Sequence, residues 1–245
     1  MPVRSWPRAD RQAAAPPSRA AFTDAEWALV RRLRTPAAVQ RYLNTLPYNT
    51  EPRGETLRTF RGVVTHGEAH CLEAAIFAAV VLEQHGYPPL VLSFESVDLL
   101  DHVLYVYRTP TGWGSIGRSR DPGLHGRLPV FRTARALAAS YLEAYVDMTG
   151  RIRAYAVADL RAVGRYDWRF SERNVWKVEQ MLIDFPHRRL TIPDARYRTW
   201  HRRYRQFRQD HPDDKPVACL SGRAQWSPLP PEWAASLRRQ RRTLR

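Results

Sequence analysis

Residues 71–82, CLEAAIFAAVVL, carry a single charged side chain, Glu73. A segment of this length that is apolar on nearly every side reads as a helix buried in a core, with other elements packed around it. Gly67 precedes it, and Gly86 follows as a residue suited to a left-handed cap. The chain is therefore expected to fold around one central helix. That helix has a cysteine, Cys71, in its first turn.

The flanking segments suggest what surrounds it. TDAEWALVRRLR, 23–34, predicts a helix with Thr23 as N-cap, Glu26 as its capping-box partner, and Trp27, Val30 and Leu33 (or Leu29) inward. A second short helix is expected over 37–46, ending before Pro47. PPLVLSFES, 88–96, and HVLYVYR, 102–108, read as strands rich in β-branched and aromatic residues. TPTG makes a turn, and WGSIG, 113–117, reads as the hairpin partner. Residues 132–148 read as a helix with Leu137, Tyr141 and Tyr145 on one face; 151–160 suits either a strand or a further helical piece. The fold class is α+β: an antiparallel sheet packed against a central buried helix, with a helical C-terminal extension.

Charge sets the organisation at the ends. The 245 residues carry a net +15, of which +8 lies in 191–245 and +3 in 1–21. Residues 1–21, rich in Pro, Ala and Arg, are expected to be disordered. Residues 22–190 form the domain, and 191–245 a basic, partly helical extension. Within it, Tyr197, Trp200, Tyr204 and Phe207 form a stripe that is expected to face a core, leaving an arginine-rich outer face. Nucleic acid is a possible partner for that face but not the favoured one, because base-stacking aromatics stand exposed rather than striped inward. No apolar run suits a membrane span and no signal-type block opens the chain, so a cytoplasmic protein is expected.

Only two cysteines occur, Cys71 and Cys219, so neither a disulfide framework nor a cysteine-based zinc site is expected. Cys219 has no chemical context and reads as structural. Cys71 could be a small buried hydrophobe. Its place at a helix N-terminus, where free N–H groups favour the thiolate, points instead to a nucleophile. His102, opening the second strand, is the candidate base. The Cys71 backbone N–H can contribute one donor to a developing oxyanion, and His66 or His70 could add another. His66, His70 and His102 as metal ligands is the weaker reading. Asp98 and Asp101 belong to a loop ahead of His102 and either could reach it.

This order of helix with Cys, strand, strand with His, and hairpin partner resembles the transglutaminase-like branch of the papain-type cysteine fold. The residues that carry the resemblance are Gly67-Glu68-Ala69-His70-Cys71, Gly86-Tyr87-Pro88, His102 to Tyr107, and Gly112-Trp113. GEAHCLEAA, GSIGRSRDPGL and PVFRTARALAASYLEAY look like an uncharacterised bacterial group within it, over roughly residues 40–150. The resemblance implies a papain-like sheet and helix, acyl chemistry on a peptide or protein amide, and no cofactor or metal. It also implies an acid about four residues after the hairpin Trp, where this chain has Gly117. Register offers two substitutes. A two-residue Thr111-Gly112 turn sets His102 opposite Asp121; pairing Arg108 with Trp113 sets it opposite Ser119. Asp121 is chemically the better, since a carboxylate fixes the ring tautomer, yet Pro122 follows it. The rival expectations are an inactive relative kept as a binding module, and an arginine-rich nucleic-acid binder.

Overall fold

The computed structural model describes residues 15–98, 102–147 and 150–243. The disorder expected for the N-terminal segment falls largely outside them, as does Asp101. Eight α-helices and six strands are found among the described residues. They are α1 (Asp24–Arg32), α2 (Pro36–Leu43), α3 (Phe60–His66), α4 (Cys71–Glu83), β1 (Leu90–Ser96), β2 (His102–Thr109), β3 (Gly112–Ile116), β4 (Arg127–Phe131), α5 (Ala134–Ala139), β5 (Ile152–Asp159), α6 (Trp176–Asp184), β6 (Arg188–Arg189), α7 (Asp194–Asp210) and α8 (Pro231–Thr243). All strand pairs are antiparallel, in the order β4-β3-β2-β1-β5-β6. The class is α+β.

The apolar segment is the central helix α4. Every residue from Leu72 to Glu83 is buried. It lies on the sheet face that carries Val91, Val103, Tyr105 and Tyr107, and α2 and α3 cover its remaining sides. Phe77 shows how full this layer is: its ring stacks on Tyr42 at 5.3 Å and lies 5.3 Å from Phe60. The other sheet face, with Leu92, Phe94, Leu104 and Val106, is covered by Leu137, Tyr141 and Tyr145. The expected long helix over 132–148 is cut short here. α5 stops at Ala139 and the chain continues in turns, which still deliver Tyr141 and Tyr145 to the core.

α1 starts as read, with the reciprocal Thr23–Glu26 capping box formed. Residues 152–159 resolve as a strand at the centre of the β1–β5 pairing. The aromatic stripe of α7 does face the domain. Phe207 is buried, Trp200 packs on the cluster around Leu92 and Phe94, and Tyr197 lies under the Arg151 guanidinium. Arg196, Arg198, Arg202 and Arg205 point outward.

Residues 217–243 are sewn into the domain. The Ser227 N–H donates to the Gly126 carbonyl, Asn44 donates to the Pro228 carbonyl at 2.8 Å, and Arg118 pairs with Glu232 at 3.0 Å. No helix among the described residues is long and apolar enough to cross a membrane.

Candidate active site

The site lies where the N-terminus of α4 meets the start of β2. α3 ends on Gly67, whose left-handed φ of 68° stops that helix. Three residues later a new helix begins, capped by His70 and with Cys71 as its first residue. The Cys71 N–H therefore has no helical carbonyl to bond and stands at the positive end of the helix. Cys71 is half-buried, so reagents can reach it.

The thiol shares its cleft with two imidazole rings, those of His102 and His70. Burial by itself would raise the Cys71 pKa. The neighbouring His102 ring, and then that of His70, outweigh it and hold the thiol well below its ordinary range. His102 Nε2 lies 3.0 Å from the Leu124 carbonyl oxygen. A carbonyl only accepts, so Nε2 carries the proton and Nδ1 is left for the thiol. This is the tautomer that a thiol-activating base needs.

The group orienting His102 is thus a backbone carbonyl and neither of the side chains expected. The β2–β3 register is the one pairing Arg108 with Trp113, but β3 ends at Ile116, opposite Tyr105. Pairing never extends to His102. Ser119 is buried and its hydroxyl accepts the Asp121 N–H at 3.1 Å. Asp121 turns to Lys215 at 2.9 Å and to Arg120 at 3.3 Å. Ser119 and Asp121 both border the cleft that holds Cys71 and His102, and neither hydrogen-bonds the His102 ring. Gly117 has no room for a side chain: a Cβ there would lie 2.3 Å from Leu104 Cδ2. Its N–H and carbonyl are both bonded by the Gln40 amide at 3.0 Å.

Arg127 fixes the carbonyl that His102 uses. It is wholly buried and faces no carboxylate among the described residues. It donates to the carbonyls of Gly123 and His125 at 2.7 Å each, one on either side of Leu124. Its guanidinium lies between the rings of Tyr141, at 4.0 Å, and Trp226, at 4.9 Å.

On the other side of the thiol, His70 Nε2 lies 2.9 Å from the Thr56 carbonyl and 3.5 Å from Glu73 Oε1. Glu73 is fully buried. Its carboxylate accepts from the His70 N–H, the Arg58 N–H, Thr56 Oγ1 and Asn49 Nδ2, all at 2.9–3.1 Å. Burial opposes its ionisation; His70 and these donors overcome that and lower its pKa. The loop 48–58 is held to α4 in this way. Tyr48 borders the same cleft, and burial followed by the Cys71 charge pushes its phenol up, so it stays a donor.

The cleft measures about 780 Å³. Tyr204, Arg208 and Lys215 from the C-terminal extension form part of its wall. A second cavity, between Arg223, Trp226 and Leu237, is lined by neither cysteine nor histidine. Among the described residues no group of three or more His, Cys, Asp or Glu is placed to hold a metal. His66 closes α3 while His70 caps α4, so their spacing of four places them on separate helices. Asp98 accepts a hydrogen bond from Ser96 and borders the cleft. Cys219 is half-buried, and burial raises its pKa.

The structure brings Cys71 and His102, the two residues singled out from the sequence, into one cleft. Sequence reasoning left His70 as one of two oxyanion candidates and missed Tyr48, Glu73 and the Leu124 carbonyl. The run His70-Cys71-Leu72-Glu73 does contain a signal, a capping box with histidine in the cap position. No family model matches the chain, and no curated protein matches it significantly.

Proposed function

We propose that the protein carries out cysteine-dependent acyl chemistry on an amide or peptide bond, in the manner of the papain-type, transglutaminase-like fold that its sequence resembles. The observation that carries this reading is the Cys71 thiol, at a helix N-terminus in an open cleft that it shares with a histidine whose tautomer is fixed by the Leu124 carbonyl. The thiol proton passes to His102 Nδ1. Sulfur attacks the carbonyl carbon, forming the C–S bond as the π pair moves to oxygen. Collapse breaks the C–N bond, and the amine leaves with the proton from His102. The thioester is then opened by water, giving a hydrolase, or by a second amine, giving a transglutaminase. Either acceptor yields its proton to His102, which returns it to sulfur. The Cys71 N–H is the first donor to the oxyanion, with the Tyr48 hydroxyl a second donor in the cleft.

Incubation with a panel of peptide amides, followed by intact mass measurement, tests this. An adduct on Cys71 that hydroxylamine releases as the hydroxamate, absent in Cys71→Ser, is the expected result. An unmodified protein throughout the panel favours the binding-module reading, which rests on the lack of a carboxylate on His102.

A further inference from the structure

We infer that the outer face of α7, together with β6, is a docking surface for double-stranded nucleic acid. It grips the phosphate backbone through Arg188, Arg189, Arg198, Arg202 and Arg205 and does not read the base sequence. The inference is independent of the chemistry at Cys71.

The sequence concentrates charge here. Residues 185–209 contain eight arginines and one acid, Asp194. The fold then sorts the side chains. Trp200 and Phe207 turn toward the domain, so α7 presents its arginines to solvent. Arg198, Arg202 and Arg205 stand at i, i+4 and i+7, which makes one stripe along the helix. Arg188 and Arg189 are exposed on β6, the edge strand that leads into α7.

No counter-ion within the described residues neutralises these five cations. The carboxylates of the region are engaged elsewhere. Asp194 pairs with Arg151 at 3.0 Å, Glu95 with Arg153 at 3.3 Å, and Glu143 with Arg203. Asp210 accepts from Gln206 at 3.0 Å. Like charges gathered on one surface repel each other, and an anion from outside relieves that repulsion.

The composition of the face selects among anionic partners. A lipid surface takes apolar side chains into its headgroup boundary. The exposed large hydrophobic residues of the described chain are Val97, Leu128, Val130, Trp176 and Ile183, and none lies between 188 and 210. A protein partner needs an apolar centre to the contact, which this face lacks for the same reason. Single strands are held by bases stacked on exposed aromatics. The aromatics of α7 are spent inward, with Tyr197 beneath Arg151 and Trp200 on the cluster around Leu92. A duplex requires none of these. It presents about one charge per 1.7 Å of its axis. The stripe from Arg198 to Arg205 covers ~10 Å of helix, so about six phosphate charges face it. Guanidinium groups meet phosphate oxygens with two parallel N–H bonds. The inward stripe therefore excludes a base-stacking reader and leaves a backbone-binding one.

The test is fluorescence anisotropy of a labelled duplex about two helical turns long, as DNA and as RNA. Full-length protein is titrated in between about 50 and 200 mM salt. Two variants remove equal charge. One is Arg198→Gln/Arg202→Gln/Arg205→Gln on the face; the other is Arg31→Gln/Arg34→Gln/Arg41→Gln at exposed positions of the α1–α2 region. Glutamine has nearly the helix propensity of arginine, so both keep the fold. Wild type is expected to bind either duplex, with a slope of log affinity against log salt of about −4. The face variant should flatten that slope by about 2.7 and lose at least about tenfold in affinity at low salt, while the α1–α2 variant keeps most of both. Failure to bind either duplex at about 50 mM salt overturns the inference. Equal losses in the two variants overturn it too, because net charge alone then explains the binding. So does tighter binding to a single strand of the same length, or binding to phosphatidylserine vesicles without binding to a duplex.

Discussion

Lowering the pH is expected to weaken this fold through one residue, His125. Its ring is completely buried, with Nε2 donating to the Pro228 carbonyl at 3.0 Å and Nδ1 having no hydrogen-bond partner. Burial, then the Arg127 and Arg118 charges, push its pKa down to about 3; the Pro228 bond opposes them. The folded value lies below the unfolded ~6.5, so the unfolded chain binds the extra proton. The stabilisation is complete above about pH 6.5 and is lost as pH falls from there toward 3. At about 1.4 kcal/mol per pH unit, the loss between pH 7 and pH 4.5 is about 2.5 kcal/mol. That is a large part of a typical total of about 5–15 kcal/mol. His125→Phe keeps the ring against Trp233 and cannot titrate. It removes one of the two donors to the Pro228 carbonyl, which Asn44 still serves, costing about 0.5–1.5 kcal/mol at pH 7. Urea unfolding at pH 7, 5.5 and 4.5 should show wild type ahead at neutral pH and behind at pH 4.5. Glu26 and Glu73, whose pKa values are lowered, lose stability only as pH falls below about 4.5, and do so in both proteins. Parallel stability curves for the two proteins over this window would refute the reasoning.

Gly117→Asp, which restores a carboxylate where the resembled family has one, is expected to destabilise by about 1–3 kcal/mol through the clash with Leu104 and to leave Cys71 alkylation unimproved. Asp121→Asn should weaken the tie to Lys215 without moving the Cys71 alkylation midpoint, because the carbonyl of Leu124 orients His102. Arg127→Leu removes the guanidinium donors from the Gly123 and His125 carbonyls, leaving the latter only the Tyr141 hydroxyl. A loss of about 3 kcal/mol or more in denaturant unfolding is expected, together with a raised alkylation midpoint as the Leu124 carbonyl loses its support.

The central helix and the strands β1 to β3 were legible because local pattern and tertiary role agree there. The apolar run of 71–82, interrupted only by Glu73, is suited to burial, and β-branched runs bounded by Pro and Gly are suited to strands. β4 was not recognised: Pro129 interrupts its pattern, which an edge strand tolerates. The spacing of Leu137, Tyr141 and Tyr145 suggested a helix, but the same burial is achieved by turns after Ala139. In the candidate site, the places of Cys71 and His102 in the fold were readable because each opens a regular element. The group behind His102 was not, since it is a main-chain carbonyl that any residue at 124 would supply. Its placement depends on the 3-10 turn Pro122–Leu124 and on the distant Arg127. Extrapolating the hairpin register also failed for a physical reason. Gln40 takes both backbone groups of Gly117, so the ladder ends before it reaches the level of His102.

The reactivity of Cys71 toward iodoacetamide between pH 4 and pH 9, compared with His102→Ala, tests the central claim most directly. An unperturbed thiol has a midpoint near pH ~8.5. The expected result is a folded wild type that still reacts below about pH 6, with a midpoint that rises when His102 is removed. A thiol that reacts only near pH ~8.5, or a midpoint that His102→Ala leaves in place, would contradict a Cys71–His102 pair.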